Sequence, residues 1–276
     1  MQRTDFHFKG LAMLGLFFLP LFFTHLSAQT LFELISSSKA YPVSHRGISE
    51  EQPVENSLIG IEKVLLSGID FFEVDVRKNA DEELYLLHDE TLDRTTSGLG
   101  RLDSKSNGDL AGVQLKITGE PIPTFQSFLD FARNDSLWIM LDVKEPILDE
   151  VLSQTKAAGL DSRSLILTFD RKRAQEALGI EGDFLISVLV TRMEDLHFYQ
   201  ELFRSRRFLA YVPKDAEISL FQAVAGEGVP ILTDVMGEVD RKAIEDEGES
   251  YRDFLKERKI NLLVSDNPLL LQKSVR

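Results

Sequence analysis

The stretch FFEVDVRKNADEELYLLH (71–88) governs the reading of the whole chain. It opens as an apolar run of buried-strand character that carries Glu73 and Asp75. Side chains two apart on a strand share one face, so these two carboxylates point the same way. Unpaired buried charge is costly, and two adjacent acids on a buried face call for a cation between them. Only seven residues, 77–83, then precede a second strand-like run, LYLLH (84–88), and Asn79-Ala80-Asp81 is turn chemistry. A parallel crossover needs a dozen or more residues. The second run is therefore expected to fold back beside the first, within an insertion lasting to about residue 121.

Outward from that stretch, apolar strand-like runs recur at 41–45, 137–143, 164–169, 184–190, 207–212, 229–233 and 261–265. Helical periodicity fills most of the gaps, as in SLIGIEKVLLSG (57–68), TFQSFLDFAR (124–133), PILDEVLSQTKAAG (146–159) and SYRDFLKERK (250–259). A short amphipathic helix is expected over 30–40. Strands alternating with helices indicate a parallel α/β sheet. With 84–88 set aside, eight strands remain, and the expectation is a (β/α)8 TIM barrel with a small insertion after the second strand. The alternative is a doubly wound open sheet, but no Gly-rich phosphate turn follows the first strand. In a barrel, active-site groups come from the C-terminal strand ends. SHRG (44–47) and IMLDVK (139–144), like FFEVDV, run from apolar strand into charged residues at such ends. His45, Glu73, Asp75, Asp142 and Lys144 all lie there.

Residues 1–28 have the layout of a secretory signal peptide. Arg3 and Lys9 precede an apolar run at 11–23, and Leu26-Ser27-Ala28 ends in small residues, with cleavage expected after Ala28. The 13-residue apolar run is short for a membrane span, so an uncleaved anchor is the lesser alternative. Residues 29–276 then form one domain of an exported, periplasmic or secreted protein, with no stable membrane insertion. With 31 basic against 45 acidic residues the net charge is −14, which argues against nucleic acid and anionic membrane surfaces as partners. The absence of cysteine excludes disulfides, thiolate metal sites and Cys nucleophiles.

Glu73, Asp75 and Asp142 offer three hard oxygen ligands, which suit one divalent cation, Ca2+ or Mg2+, rather than zinc or copper. The competing reading is that they pair with Arg46, Arg77 and Lys144. His45 and His88 both sit at strand ends, where a pair of imidazoles can act as general base and general acid near neutral pH. His197, in the polar helical stretch MEDLHFYQ, reads as a surface residue. Asp89, next to His88, is placed to fix an imidazole's tautomer. Arg46 supplies a donor fork and Lys144 a point charge for phosphate oxygens, so the set describes a site for an anionic phosphodiester.

The ordered series His45-Arg46-Gly47, Glu55-Asn56-Ser57, Glu73-Val74-Asp75, His88-Asp89, Leu92-Asp93-Arg94-Thr95-Thr96 and Asp142-Val143-Lys144 resembles the glycerophosphodiester phosphodiesterase family, a phosphatidylinositol phospholipase C-like TIM barrel. VSDNP (264–268) is similar to that family's closing motif. The resemblance implies hydrolysis of a small-molecule glycerophosphodiester to sn-glycerol 3-phosphate and an alcohol. It implies that Glu73, Asp75 and Asp142 hold the metal, that His45 and His88 are the acid–base pair, and that Arg46 and Lys144 grip the phosphate. Glu55 would be a polar substrate-binding residue near His45, Asn56 would hold its loop, and Arg94-Thr95-Thr96 would be structural. Three features depart from the family pattern. Asp142 stands where Glu is usual, as it does in sphingomyelinase D-like phospholipases; Pro53 and Glu55 are separated by one residue; and ILTD (231–234) replaces an aromatic Trp-Thr-x-Asn ending. A sphingomyelinase D/phospholipase D-like or phosphoinositide-type lipase, with Ile117 and Ile122 as an apolar rim, and a non-catalytic phosphoester-binding protein are the alternative functions.

Overall fold

The computed structural model describes residues 30–204 and 206–275; the expected leader and its cleavage point lie outside the described residues. The strands are β1 (Tyr41–Ser44), β2 (Phe71–Lys78), β3 (Leu84–Leu86), β4 (Trp138–Val143), β5 (Ser164–Thr168), β6 (Leu185–Leu189), β7 (Phe208–Tyr211), β8 (Ile231–Asp234) and β9 (Leu262–Ser265). Eight of them run side by side in the order β1-β9-β8-β7-β6-β5-β4-β2, and β1 pairs with β2 to close the cylinder. All eight pairings around that cylinder are parallel. Helices alternate with the strands, which makes the fold a (β/α)8 TIM barrel. Among the described residues no helix is long and apolar enough to cross a membrane.

The ninth strand is the one the short 77–83 connection singled out. β3 lies antiparallel to β2, with Val76 opposite Leu86 and Lys78 opposite Leu84. The Asn79 side-chain oxygen accepts the N–H groups of Asp81 and Glu83 and so closes the hairpin turn. The insertion that follows has a small apolar core of its own, including Leu92, Leu102, Leu110 and Leu115. Ile122 belongs to that core and is 5% exposed, so it forms no apolar rim; Ile117 is exposed.

Strand alternation fixes what the barrel encloses. Val43, Phe71, Met140, Leu165, Leu209, Leu232 and Leu262 fill the interior. Their neighbours in sequence, such as Phe72, Val74, Ile139 and Leu141, face the helical layer. Glu73 and Asp75 continue the parity of Phe71, and Asp142 continues that of Met140, so the interior face turns from apolar to acidic as it nears the mouth. Register completes the placement, because Glu73 lies opposite Met140 and Asp75 opposite Asp142. The other end is plugged. The helix Leu31–Ser37 starts with a Thr30–Glu33 capping box and buries Leu31 and Ile35. Both join the interior cluster, and the Asn261 amide donates to the carbonyls of Ile35, Ser36 and Ser38.

Candidate active site at the barrel mouth

Glu73, Asp75 and Asp142 each offer a carboxylate oxygen within 4.8 Å of the others. Glu73 and Asp75 are 3% and 1% exposed, so these oxygens depend on protein partners rather than on water. Glu73 Oε2 accepts the Arg46 N–H at 2.8 Å. That N–H is aimed by a left-handed turn, with Arg46 at φ 52° and Gly47 at φ 72°. A side chain at Gly47 is disfavoured, since its φ is 72° and a Cβ would lie 2.4 Å from Ile61 Cγ1. Asp75 is gripped by the Asn56 side chain, which donates to its Oδ2 at 2.8 Å and accepts its N–H at 3.1 Å. Lys144 Nζ lies 2.8 Å from Asp75 Oδ1 and also bonds Asp142, while Arg46 Nε lies 3.4 Å from Asp75 Oδ2. Arg77 is not part of this set; it pairs with Glu145 at 2.9 Å and donates to the His88 carbonyl.

The three acids differ electrostatically. Burial, followed by the negative charges of Asp75 and Asp142, pushes the Glu73 carboxyl well above its usual range. Burial also acts to raise Asp75, but Lys144, the Asn56 amide and Arg46 outweigh it and hold that carboxyl below its ordinary value. Burial acts to lower Lys144, and Asp75 and Asp142 reverse the sign and raise it. The protein's own cations thus satisfy Asp75 and leave Glu73 short of positive charge. A hard divalent ion among three oxygen donors would restore the ionised form of Glu73, and the residues fit such an ion.

Both histidines lean on a carboxylate. His45 Nδ1 lies 2.7 Å from Asp266 Oδ1, and His88 Nδ1 lies 2.7 Å from Asp89 Oδ1. A carboxylate on Nδ1 fixes the proton there and leaves Nε2 free to exchange one with substrate. Asp266 has no role in the sequence reading beyond its place in VSDNP. Its position follows from Asp240, a buried carboxylate that accepts the Asp266 N–H at 2.8 Å, the Tyr251 hydroxyl at 2.6 Å and the Ser265 hydroxyl at 2.7 Å. Glu55 accepts from Arg46 Nη1, on the residue next to His45, at 3.2 Å and from Arg94. Asn56 does more than hold its loop, for it orients a carboxylate of the acidic set. His197 is exposed on the helix Met193–Phe203, as expected of a surface residue.

His45, Glu73 and Asp142 open on one cavity of about 80 Å³, whose far wall is formed by Phe169, Tyr211 and Met236. Two aromatics face the cavity from elsewhere in the barrel, Phe169 just past β5 standing edge-on to Tyr211 of β7 at 5.5 Å. Asp234 is held by the Tyr211 hydroxyl at 2.5 Å and by Lys214 Nζ at 2.8 Å.

The closed α/β barrel gathers three convergent carboxylates, two Asp-held histidines and two cations at its C-terminal rim, where TIM-barrel enzymes carry their active sites. The family model described as "Glycerophosphoryl diester phosphodiesterase family" matches residues 45–195, and the chain belongs to that family. A glycerophosphodiester phosphodiesterase of Caldanaerobacter subterraneus is 27% identical over 144 residues, 48% of this chain and 59% of that protein. One from Bacillus subtilis is 27% identical over 172 residues, 57% of this chain and 58% of that protein. The chain thus spans a little under three fifths of the length of these relatives. Among solved structures, a glycerophosphoryl diester phosphodiesterase from Parabacteroides distasonis superposes with a TM-score of 0.76 at 23% identity, over 89% of this chain and 91% of that one. An Oleispira antarctica phosphodiesterase in complex with the product sn-glycerol-3-phosphate has a TM-score of 0.69 at 17% identity, over 86% of this chain and 97% of that one. Both share the barrel fold.

Proposed function

We propose that the chain is an exported, metal-dependent phosphodiesterase that hydrolyses glycerophosphodiesters to sn-glycerol 3-phosphate and an alcohol. The observation that carries this reading is the convergence of Glu73, Asp75 and Asp142 within 4.8 Å, on a cavity that His45 also lines. Membership of the family supports the reaction class, and the product held by the Oleispira antarctica barrel supports the substrate class.

Glu73, Asp75 and Asp142 would hold one divalent cation, Ca2+ or Mg2+. When bound, it supplies positive charge to the phosphate oxygens and offsets the charge that develops in the transition state. The remaining chemistry is the chain's own. Arg46 and Lys144 bind the diester through its non-bridging oxygens. His45, held by Asp266 through Nδ1, takes a proton at Nε2 from the nucleophile, which is water or the substrate's own glycerol hydroxyl. His88, held by Asp89, gives a proton from Nε2 to the departing alcohol oxygen. Phe169, Tyr211 and Met236 close the opposite wall and limit the room beside the reacting centre.

The test is turnover of glycerophosphocholine. His45→Ala and His88→Ala are each expected to lower kcat by about 10²–10⁴-fold while the far-UV spectrum stays unchanged. Near-normal turnover in either variant removes that histidine from the mechanism. A parallel screen of choline, ethanolamine, glycerol and inositol diesters at varied Ca2+ and Mg2+ reads the reaction class directly, through release of sn-glycerol 3-phosphate.

A further inference from the structure

Arg94 opens the Arg-Thr-Thr run of the insertion and takes no part in the reaction just described, yet both edges of its guanidinium are fully engaged. Nε donates to Asp89 Oδ2 at 2.6 Å, and Nη2 donates to Asp89 Oδ1 at 3.0 Å. Nη1 donates to Glu55 Oε2 at 2.8 Å, and Nη2 donates to Glu55 Oε1 at 2.7 Å. Two bidentate carboxylate pairs on one side chain require the planar fork of arginine; a lysine ammonium cannot make both.

Each carboxylate also has a partner in the proposed machinery. Asp89 Oδ1 lies 2.7 Å from His88 Nδ1, and Glu55 Oε2 accepts from Arg46 Nη1 at 3.2 Å. A continuous line of charged hydrogen bonds therefore runs His88–Asp89–Arg94–Glu55–Arg46. Glu55 is much the more buried end of its pair, its side chain 15% exposed against 48% for Arg94. Hydrogen bonds from Arg94, with smaller contributions from His88, hold the Asp89 carboxyl well below its usual range despite partial burial. A bidentate network of this kind contributes to the stability of the insertion as well, and experiment separates that role from positioning.

We propose that Arg94 is a positioning residue, which locks Asp89 and Glu55 into one frame so that the acid–base histidine and the phosphate-binding arginine keep a fixed mutual geometry. The role rests on the phosphodiesterase reading above and extends it to a residue outside the barrel. It acts on both substrate binding and chemistry, because its two arms end on different groups.

The experiment compares kcat and KM for glycerophosphocholine in Arg94→Gln and Arg94→Lys, each made in the wild type and in an Asp89→Asn/Glu55→Gln background. In the wild type, Arg94→Gln is expected to lower kcat/KM by about 10–100-fold, the usual cost of losing a group that orients a functional residue. Arg94→Lys is expected to fall nearly as far, since it restores charge without the fork. In the doubly substituted background, where neutral amides replace both charged partners and the bidentate pairs are lost, Arg94→Gln is expected to cost much less, about twofold. A role confined to stability would lower the Tm of the Arg94 variants while leaving kcat and KM of the folded enzyme at wild-type values, and that result overturns the proposal, as does an unaffected Arg94→Gln. A wild type that hydrolyses no glycerophosphodiester overturns this role and the phosphodiesterase reading together, whereas an active wild type with insensitive Arg94 variants overturns the positioning role alone.

Discussion

Asp266 and Asp89 do the same work by different routes. Asp89 follows His88 in sequence, and their pairing is legible from the dipeptide. Asp266 reaches His45 across 221 positions, and the barrel must close before the two can meet. No local pattern announces that contact, whereas Glu73, Asp75 and Asp142 were recognisable because each continues an apolar strand into charge. Glu55 was named only through the family resemblance, and its bonds to Arg46 and to the insertion's Arg94 are not announced by any local pattern. For Asp266→Asn we expect kcat to fall about 10–100-fold with KM little changed, because the amide can present its N–H rather than an oxygen to Nδ1 and so favours the wrong tautomer. Steady-state kinetics on glycerophosphocholine measure this, and an unchanged kcat would show that His45 needs no carboxylate.

The turn that follows β1 and the hairpin that follows β2 are the two local elements on which the site depends. In the first, the consecutive positive φ values of Arg46 and Gly47 bring the Arg46 N–H onto Glu73. Gly47→Ala adds a methyl where Ile61 already sits and asks an alanine for φ 72°. The expected cost is about 1–3 kcal/mol of stability, read as a lowered Tm, together with weaker turnover as Arg46 shifts. A variant with wild-type Tm would mean the turn has room to relax. The hairpin was readable because its arithmetic is simple: too few residues for a crossover, and Asn79-Ala80-Asp81 as turn chemistry between two apolar runs. The fold of the insertion beyond it was not readable. Its bridges, such as Thr96 with Leu115 and Thr91 with Arg101, join irregular segments that lack strand or helix periodicity, which is why Ile122 passed for a rim residue.

Across the whole molecule, alternation along eight strands separates an apolar interior from an acidic mouth, and a short capped helix closes the other end. The apolar runs and the acids at the ends of β2 and β4 were legible; which face each run turns inward was not, because both faces of these strands are apolar. The far wall of the cavity was not legible either, because Phe169, just past β5, and Tyr211, at the end of β7, meet only through tertiary packing. The charge deficit at Glu73 is also a property of the assembled mouth, since it arises only when burial and two further acids converge. It leads to the most direct measurement, a calorimetric titration of chelator-treated protein with Ca2+ and with Mg2+, wild type beside Glu73→Gln. Glutamine is close in shape to the protonated acid that burial favours, so the fold should survive the exchange. One ion per chain in the wild type, with affinity reduced at least about tenfold in Glu73→Gln, is the expected result. Equal binding by both proteins, or none by the wild type, would contradict a cation held by Glu73, Asp75 and Asp142.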